Sequence, residues 1–112
     1  MQFLILFREP DGRQDTHSPE EIVAHRASWQ QWMEPLITQN KWLSGKPLTL
    51  EGRMIKPNGA QVAITQGLHS IGTEIVGGFI LLEAAGIEEA TAIMKTCPVY
   101  EFGGYAEIRP LM

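Results

Sequence analysis

The chain has 112 residues, enough for one domain, spanning 1–112, with a modest core. Its 44% apolar and 20% charged residues argue against disorder, and a net charge of −4 without a Lys or Arg cluster argues against a nucleic-acid or anionic-membrane surface. The single cysteine makes no internal disulfide, and the opening apolar run is too short for a signal-peptide core or a membrane span, so a cytoplasmic location is expected.

In chain order, Phe3 to Phe7 is a continuous apolar run bounded by Arg8-Glu9-Pro10-Asp11-Gly12, which reads as a strand ending in a turn. Ser18 then suits an N-cap, Pro19 the first helical position, and Glu21 completes a capping box. The helix that follows carries Ile22, Trp29, Met33, Leu36 and Ile37 on one stripe, with Pro35 imposing a kink near Gln31 to Glu34 or a restart. Trp42 to Leu48, broken by Gly45 and Pro47, reads as a turn or irregular edge segment. Met54-Ile55 and Gln61 to Thr65 form a hairpin around Asn58-Gly59, and Gln66 to Thr73 is a loop. Gly78 to Ala84 is the strongest strand pattern. Gly86 opens a second helix with Ile87, Ala90, Thr91 and Met94 on one face, stopped by Pro98. In Gly104 to Arg109, Tyr105, Glu107 and Arg109 share one face and Ala106 and Ile108 the other. The order β, α, hairpin region, β, α, β predicts an α+β sandwich of ferredoxin-like type, an antiparallel sheet with two helices on one face.

Two helices cover one face of such a sheet. The first strand and the Phe79 strand are nevertheless apolar at odd and even positions alike, the pattern of strands buried on both sides. A second copy supplies the other cover, so a homodimer is expected, closing a dimeric α+β barrel with Tyr105, Glu107 and Arg109 facing the partner or a cavity between the sheets.

Few residues carry chemistry by type and place. His25 lies at the edge of the helical stripe beside Trp29 and Trp32, either as a general base in a hydrophobic pocket or as a core-edge imidazole. Arg26 falls inside the stripe and so needs a carboxylate or carbonyl partner. Aromatics three apart on a helix are core more often than a ligand platform. His69 sits in an inter-strand loop, where functional residues concentrate. Cys97 follows a helix C-terminus, whose partial negative charge raises a thiol pKa and disfavours a nucleophile. The three histidines and one cysteine have no metal-ligand spacing, and Gly77-Gly78 and Gly103-Gly104 lack the context of a phosphate cradle. No metal and no cofactor is therefore expected.

The segments SPEEIVAHRASWQQWMEPLITQNKWLSGKPLTLEGR, EIVGGFILLEAAGIEEATAIMKTCP and GGYAEIRPL, in this order and over nearly the whole chain, resemble the YCII-related proteins, most closely the branch named for a DGPF motif. The resemblance implies a ferredoxin-like fold and a dimeric barrel. It also implies departures. Gln66-Gly67-Leu68-His69 stands where the branch has Asp-Gly-Pro-Phe or Tyr, and Thr73-Glu74 where it has Lys-Glu. The positions of the family's proposed His–Asp catalytic pair fall on Ser28 and Cys97.

The leading expectation is a homodimer that binds a small molecule between helix and sheet or between subunits, with Ser28, Trp32, His69, Glu74, Cys97 and Arg109 as lining. One alternative is an enzyme of lyase, isomerase or monooxygenase type, as related barrels sometimes are, with His25 or His69 as general base. Another is a regulatory module that binds a protein, since relatives are often encoded beside extracytoplasmic-function sigma factors.

Overall fold

The structure, a computed structural model, describes residues 1–11 and 16–112. Eight elements follow the order β1 (Gln2–Pro10), α1 (Pro19–Thr38), β2 (Trp42–Pro47), β3 (Arg53–Asn58), β4 (Gln61–Gln66), β5 (Glu74–Glu83), α2 (Ile87–Met94) and β6 (Tyr105–Pro110), with a 3-10 turn, Pro98–Phe102, between the last two. The main sheet runs β2-β5-β1-β6 with every neighbour antiparallel, while among the described residues β3 and β4 pair with each other alone. This is the ferredoxin-like arrangement, with the β3–β4 hairpin inserted between β2 and β5.

The core lies on one face of that sheet. Phe3, Ile5, Ile80, Leu82 and Met94 are its largest fully buried side chains, and Trp29, Trp32, Ala106 and Ile108 pack against it. Strand alternation sends Phe3, Ile5 and Phe7 inward and leaves Leu4, Leu6 and Arg8 on the opposite face. Ala106 and Ile108 face the core as the pattern of β6 requires, with Tyr105, Glu107 and Arg109 on the other side.

Four local expectations change. β1 continues through Arg8 and Glu9 to Pro10, because Arg8, Glu9 and Pro10 pair with Val76, Ile75 and Glu74 across a register shift; Gly12, the end of the expected turn, lies outside the described residues. Trp42–Pro47 is a full edge strand, irregular only between Trp42 and Ser44, and its edge position tolerates Pro47. The hairpin loop is Gly59-Ala60, one residue beyond the Asn-Gly reading, with Gly59 at φ 65° in the first loop position, as in a type II′ turn.

α1, finally, does not restart at Pro35. Its capping box is complete: the Ser18 Oγ accepts from the Glu21 amide at 3.1 Å, and Glu21 Oε1 accepts from the Ser18 amide at 3.2 Å. The helix continues through Pro35 for one last turn, closed where the Gln39 amide donates to the Pro35 carbonyl at 3.0 Å. The ring removes only the bond its amide would have made to Gln31. Of the expected stripe only Leu36 is buried, and Ile37 is 51% exposed because that side of α1 overhangs an open cleft. Among the described residues no helix is long and apolar enough to cross a membrane.

Replacing Pro35 by alanine restores that bond on an exposed helical surface. The expected outcome is a gain of about 1–3 kcal/mol in urea-unfolding free energy; an unchanged or lowered midpoint would show that the ring is held by contacts of its own.

Candidate functional site

Two cavities share two side chains. One, of about 300 Å³, is lined among others by His17, Thr73 and Phe102. The other, of about 790 Å³, runs between α1 and the sheet past Trp29, Met33, Trp42 and Pro47. Glu9 and His25 line both.

Glu9 occupies the next core-facing position after Phe3, Ile5 and Phe7. The register shift after Phe7 pairs Glu9 with Ile75 and leaves Gly77 unpaired beside it; a Cβ there would stand 2.5 Å from Glu9 Oε2, so the carboxyl lies over bare backbone. Among the described residues it has no hydrogen-bond or ion-pair partner. Burial pushes its pKa above the ordinary carboxyl value, with neighbouring His25 acting the other way.

His25 is held at both ring nitrogens. Its Nδ1 lies 3.0 Å from Glu101 Oε2, and the Trp29 indole Nε1–H donates to its Nε2 at 3.0 Å. The neutral tautomer with the proton on Nδ1 satisfies both contacts. His25 also stacks on Phe102 (centroids 4.0 Å apart, planes at 18°), and His17 stacks on Phe102 as well (3.6 Å, 13°), so the three rings form one pile. The hydrogen bond with His25 chiefly, helped by Ser28, holds the Glu101 carboxyl below its usual pKa against some desolvation.

Glu101 and Phe102 reach the site because the chain folds sharply between α2 and β6. The Tyr100 hydroxyl donates to the Met94 carbonyl at 2.8 Å, tying the 3-10 turn to the end of α2. Gly103 then takes φ 79°, and a Cβ on Gly104 would stand 3.0 Å from the carbonyl oxygens of Arg8 and Val99. The paired glycine is a steric requirement of this return.

The residues singled out from sequence scatter around this centre. His25 stands in it, and Ser28 lies behind it near Glu101, its hydroxyl donating to the Ala24 carbonyl at 3.1 Å. Trp32 packs edge-on against Trp29 and donates to Thr96 Oγ1 at 3.1 Å. His69 is exposed in the β4–β5 loop. Glu74 and Arg109 lie on the opposite sheet face, Glu74 as the partner that raises the Tyr105 pKa and Arg109 bound to Glu107 at 3.3 Å. Cys97 is buried in the core, where desolvation, against a hydrogen bond with the Val99 backbone, pushes its thiol up to about 12. Apart from His25, none of these lines either cavity. Arg26, expected to need a partner inside the stripe, is exposed on the rim of the larger cleft, where water solvates it. Among the described residues no three His, Cys, Asp or Glu side chains are placed to hold a metal ion.

The model of one protein family, the YCII-related domain, matches residues 1–111. The chain belongs to that family. A search of curated proteins returned no match. The structure of 5-chloro-2-hydroxyhydroquinone dehydrochlorinase from Burkholderia phenoliruptrix AC1100, in complex with 2,5-dihydroxybenzoquinone, is similar at TM-score 0.56 and 20% identity over 100% of this chain and 94% of that one. At that identity the likeness establishes the fold.

Sequence reasoning on this YCII-related chain passed over Glu9, His17, Glu101 and Phe102. For Glu9 a signal was present: a carboxylate one more odd step beyond Phe3, Ile5 and Phe7 is a charge on the core face of a strand. For the other three nothing in local pattern marks the stack.

Three outcomes follow from this geometry. Gly77→Ala meets only the mobile end of Glu9, so it is expected to cost under about 1 kcal/mol while displacing the carboxyl, whereas Gly104→Ala meets fixed carbonyls and costs about 1–3 kcal/mol; chemical denaturation of both variants ranks them. Glu9 has a folded-state pKa above its unfolded one, so the folded state binds more protons in that window and wild-type stability falls as pH rises through it. Glu9→Gln does not titrate, so its melting temperature relative to wild type is expected to rise between pH 4 and pH 7; a difference constant with pH would contradict the desolvated carboxyl.

Proposed function

We propose that this YCII-related protein is an enzyme that moves a proton on a small, partly apolar ligand held in the cleft between α1 and the sheet. The observation that carries this is Glu9: a carboxyl with a raised pKa, without a partner among the described residues, opening on both cavities beside His25. Glu9 as carboxylate accepts a proton from an acidic C–H or O–H of the ligand. The bonding pair left on the ligand moves into an adjacent carbonyl or expels a leaving group, and Glu9 afterwards returns its proton to product or water. The expectation of His25 as general base passes to Glu9, because the lone pair on Nε2 is already taken by the Trp29 N–H. His25 is a positioning residue that shapes the field at Glu9.

Two features support the reading. The cleft offers Trp29, Met33 and Trp42 to an apolar body and a polar group at one end, the composition of small-molecule sites. The similar Burkholderia protein is a dehydrochlorinase, and removing hydrogen and chloride from a ring requires a base. Binding of a small molecule is thus retained from the sequence, with the cleft between helix and sheet as its place.

The assembly is a further part of the proposal. Leu4, Leu6, Phe79 and Leu81 form a half-buried apolar centre on the sheet face without helices, next to Arg8, whose guanidinium meets Glu107 at 3.0 Å. A second copy laid on that face gives the homodimer.

The experiment is a turnover screen of hydroxyhydroquinones, with and without ring chlorine, plus 2,5-dihydroxybenzoquinone as a binding probe. Glu9→Gln is expected to lower kcat of any activity found by about 10²–10⁴-fold with less effect on KM. In wild type the rate rises with pH through the displaced Glu9 ionisation, because the carboxylate is the active form, and this limb disappears in the variant. Full turnover in Glu9→Gln would sink the assignment.

A further inference from the structure

The β3–β4 hairpin is built inside out for a structure standing in water. Its register pairs Arg53 with Gln66, Ile55 with Ile64 and Pro57 with Val62 on one face, and Met54 with Thr65 and Lys56 with Ala63 on the other. The first face is the more apolar one and it is bare: Ile55, Ile64 and Val62 are 65%, 61% and 60% exposed. An isolated two-stranded ribbon is marginal in water, and contiguous exposed β-branched side chains mark a contact surface. The root of the ribbon is fixed, since the Gly67 amide donates to the Gly52 carbonyl at 2.9 Å and the Leu68 side chain fills the space over Gly52.

Charge selects the occupant. The ribbon carries Arg53 on the face of the strip, Lys56 on the other face and no acidic residue, while the whole chain has net charge −4, so the rest of the chain is acidic. A basic, apolar arm and an acidic body on one chain are complementary between two copies. We propose that the β3–β4 hairpin is an exchanged arm that packs its Ile55–Ile64 and Pro57–Val62 strip against the acidic body of a second copy of this chain. The inference rests on the homodimer proposed above and adds to it. A two-fold axis applies the arm contact twice, so one further copy is enough to cover both strips.

Sedimentation velocity tests the arm separately from the sheet face. The double variant Ile55→Asp, Ile64→Asp puts carboxylates on the strip, and neither side chain belongs to the core cluster, so far-UV circular dichroism is expected to match wild type. A second variant, Leu81→Asp, charges the open sheet face. Wild type is expected to sediment as a dimer, and the arm variant to raise the dissociation constant at least about tenfold. A dimer broken by Leu81→Asp but untouched by the arm variant overturns the arm alone and leaves the strip to a different protein. A monomeric wild type overturns arm and dimer together.

Discussion

Much of this molecule turns on one carboxylate placed where a core side chain belongs. Strand β1 sends Phe3, Ile5 and Phe7 into the core and then, at the next inward position, Glu9. Burying a charge there without compensation costs several kcal/mol. The fold accommodates it through a local defect. A register shift leaves Gly77 without an opposite number, and the missing side chain leaves room for the carboxyl at the point where two cavities meet. The strand end, the irregular pairing and the paired glycine at Gly77-Gly78 are therefore one feature. The Gly77 side of that pair makes room for Glu9; at Gly78 a Cβ would stand 3.0 Å from the Lys46 carbonyl oxygen, so it keeps β2 close.

The parts of the fold governed by local periodicity were legible in the sequence. The Ser18–Glu21 capping box, the alternation in β6 and the apolar runs of β1 and β5 all sit where their patterns put them. The ferredoxin-like order follows from them. The misreadings share a different cause. Pro10 and Pro47 look like strand breakers, yet each closes a strand at a place the ladder tolerates: Pro10 is the last residue of β1 and Pro47 ends an edge strand. The extra reach of β1 carries Arg8 and Glu9 out of the expected turn and into the sheet, and this is why Glu9 escaped notice. Sequence periodicity also overstated the burial of α1, because it cannot distinguish a stripe facing a packed core from one overhanging a cleft. Met33 and Ile37 belong to the second case.

The candidate site was less legible because it is assembled from segments far apart in the chain. His25 comes from α1, Glu101 and Phe102 from the 3-10 turn, Glu9 from β1, and His17 from the segment before α1. The residues at the positions of the family's proposed His–Asp pair end in different surroundings. Cys97 is sealed in the core beside Val99, while Ser28 sits next to Glu101 without facing a cavity. The imidazole that lines both cavities stands at His25, less than one helical turn before Ser28, and its carboxylate partner, Glu101, comes from the turn that follows Cys97. His25 and Glu101 are thus an imidazole and a carboxylate in contact, three residues before Ser28 and four after Cys97.

The hydrogen bonds of the site also divide its labour. Glu101 is substantially exposed, and an ion pair or hydrogen bond at such a place adds little stability. Its effect is directional. With Nδ1 held by Glu101, Nε2 by the Trp29 indole and one ring face by Phe102, the His25 imidazole has little freedom to rotate. Trp29 is itself fixed edge-on against both Phe7 and Trp32, which anchors this arrangement in the core. Glu9 is the opposite case: a carboxyl unpartnered among the described residues, at a raised pKa. A group with both nitrogens committed and a carboxyl left unpartnered among the described residues suit different tasks. The first orients and sets the field, and the second is free to meet a proton. In this site chemistry follows from which acceptor has been left open, and that acceptor is the carboxyl over Gly77.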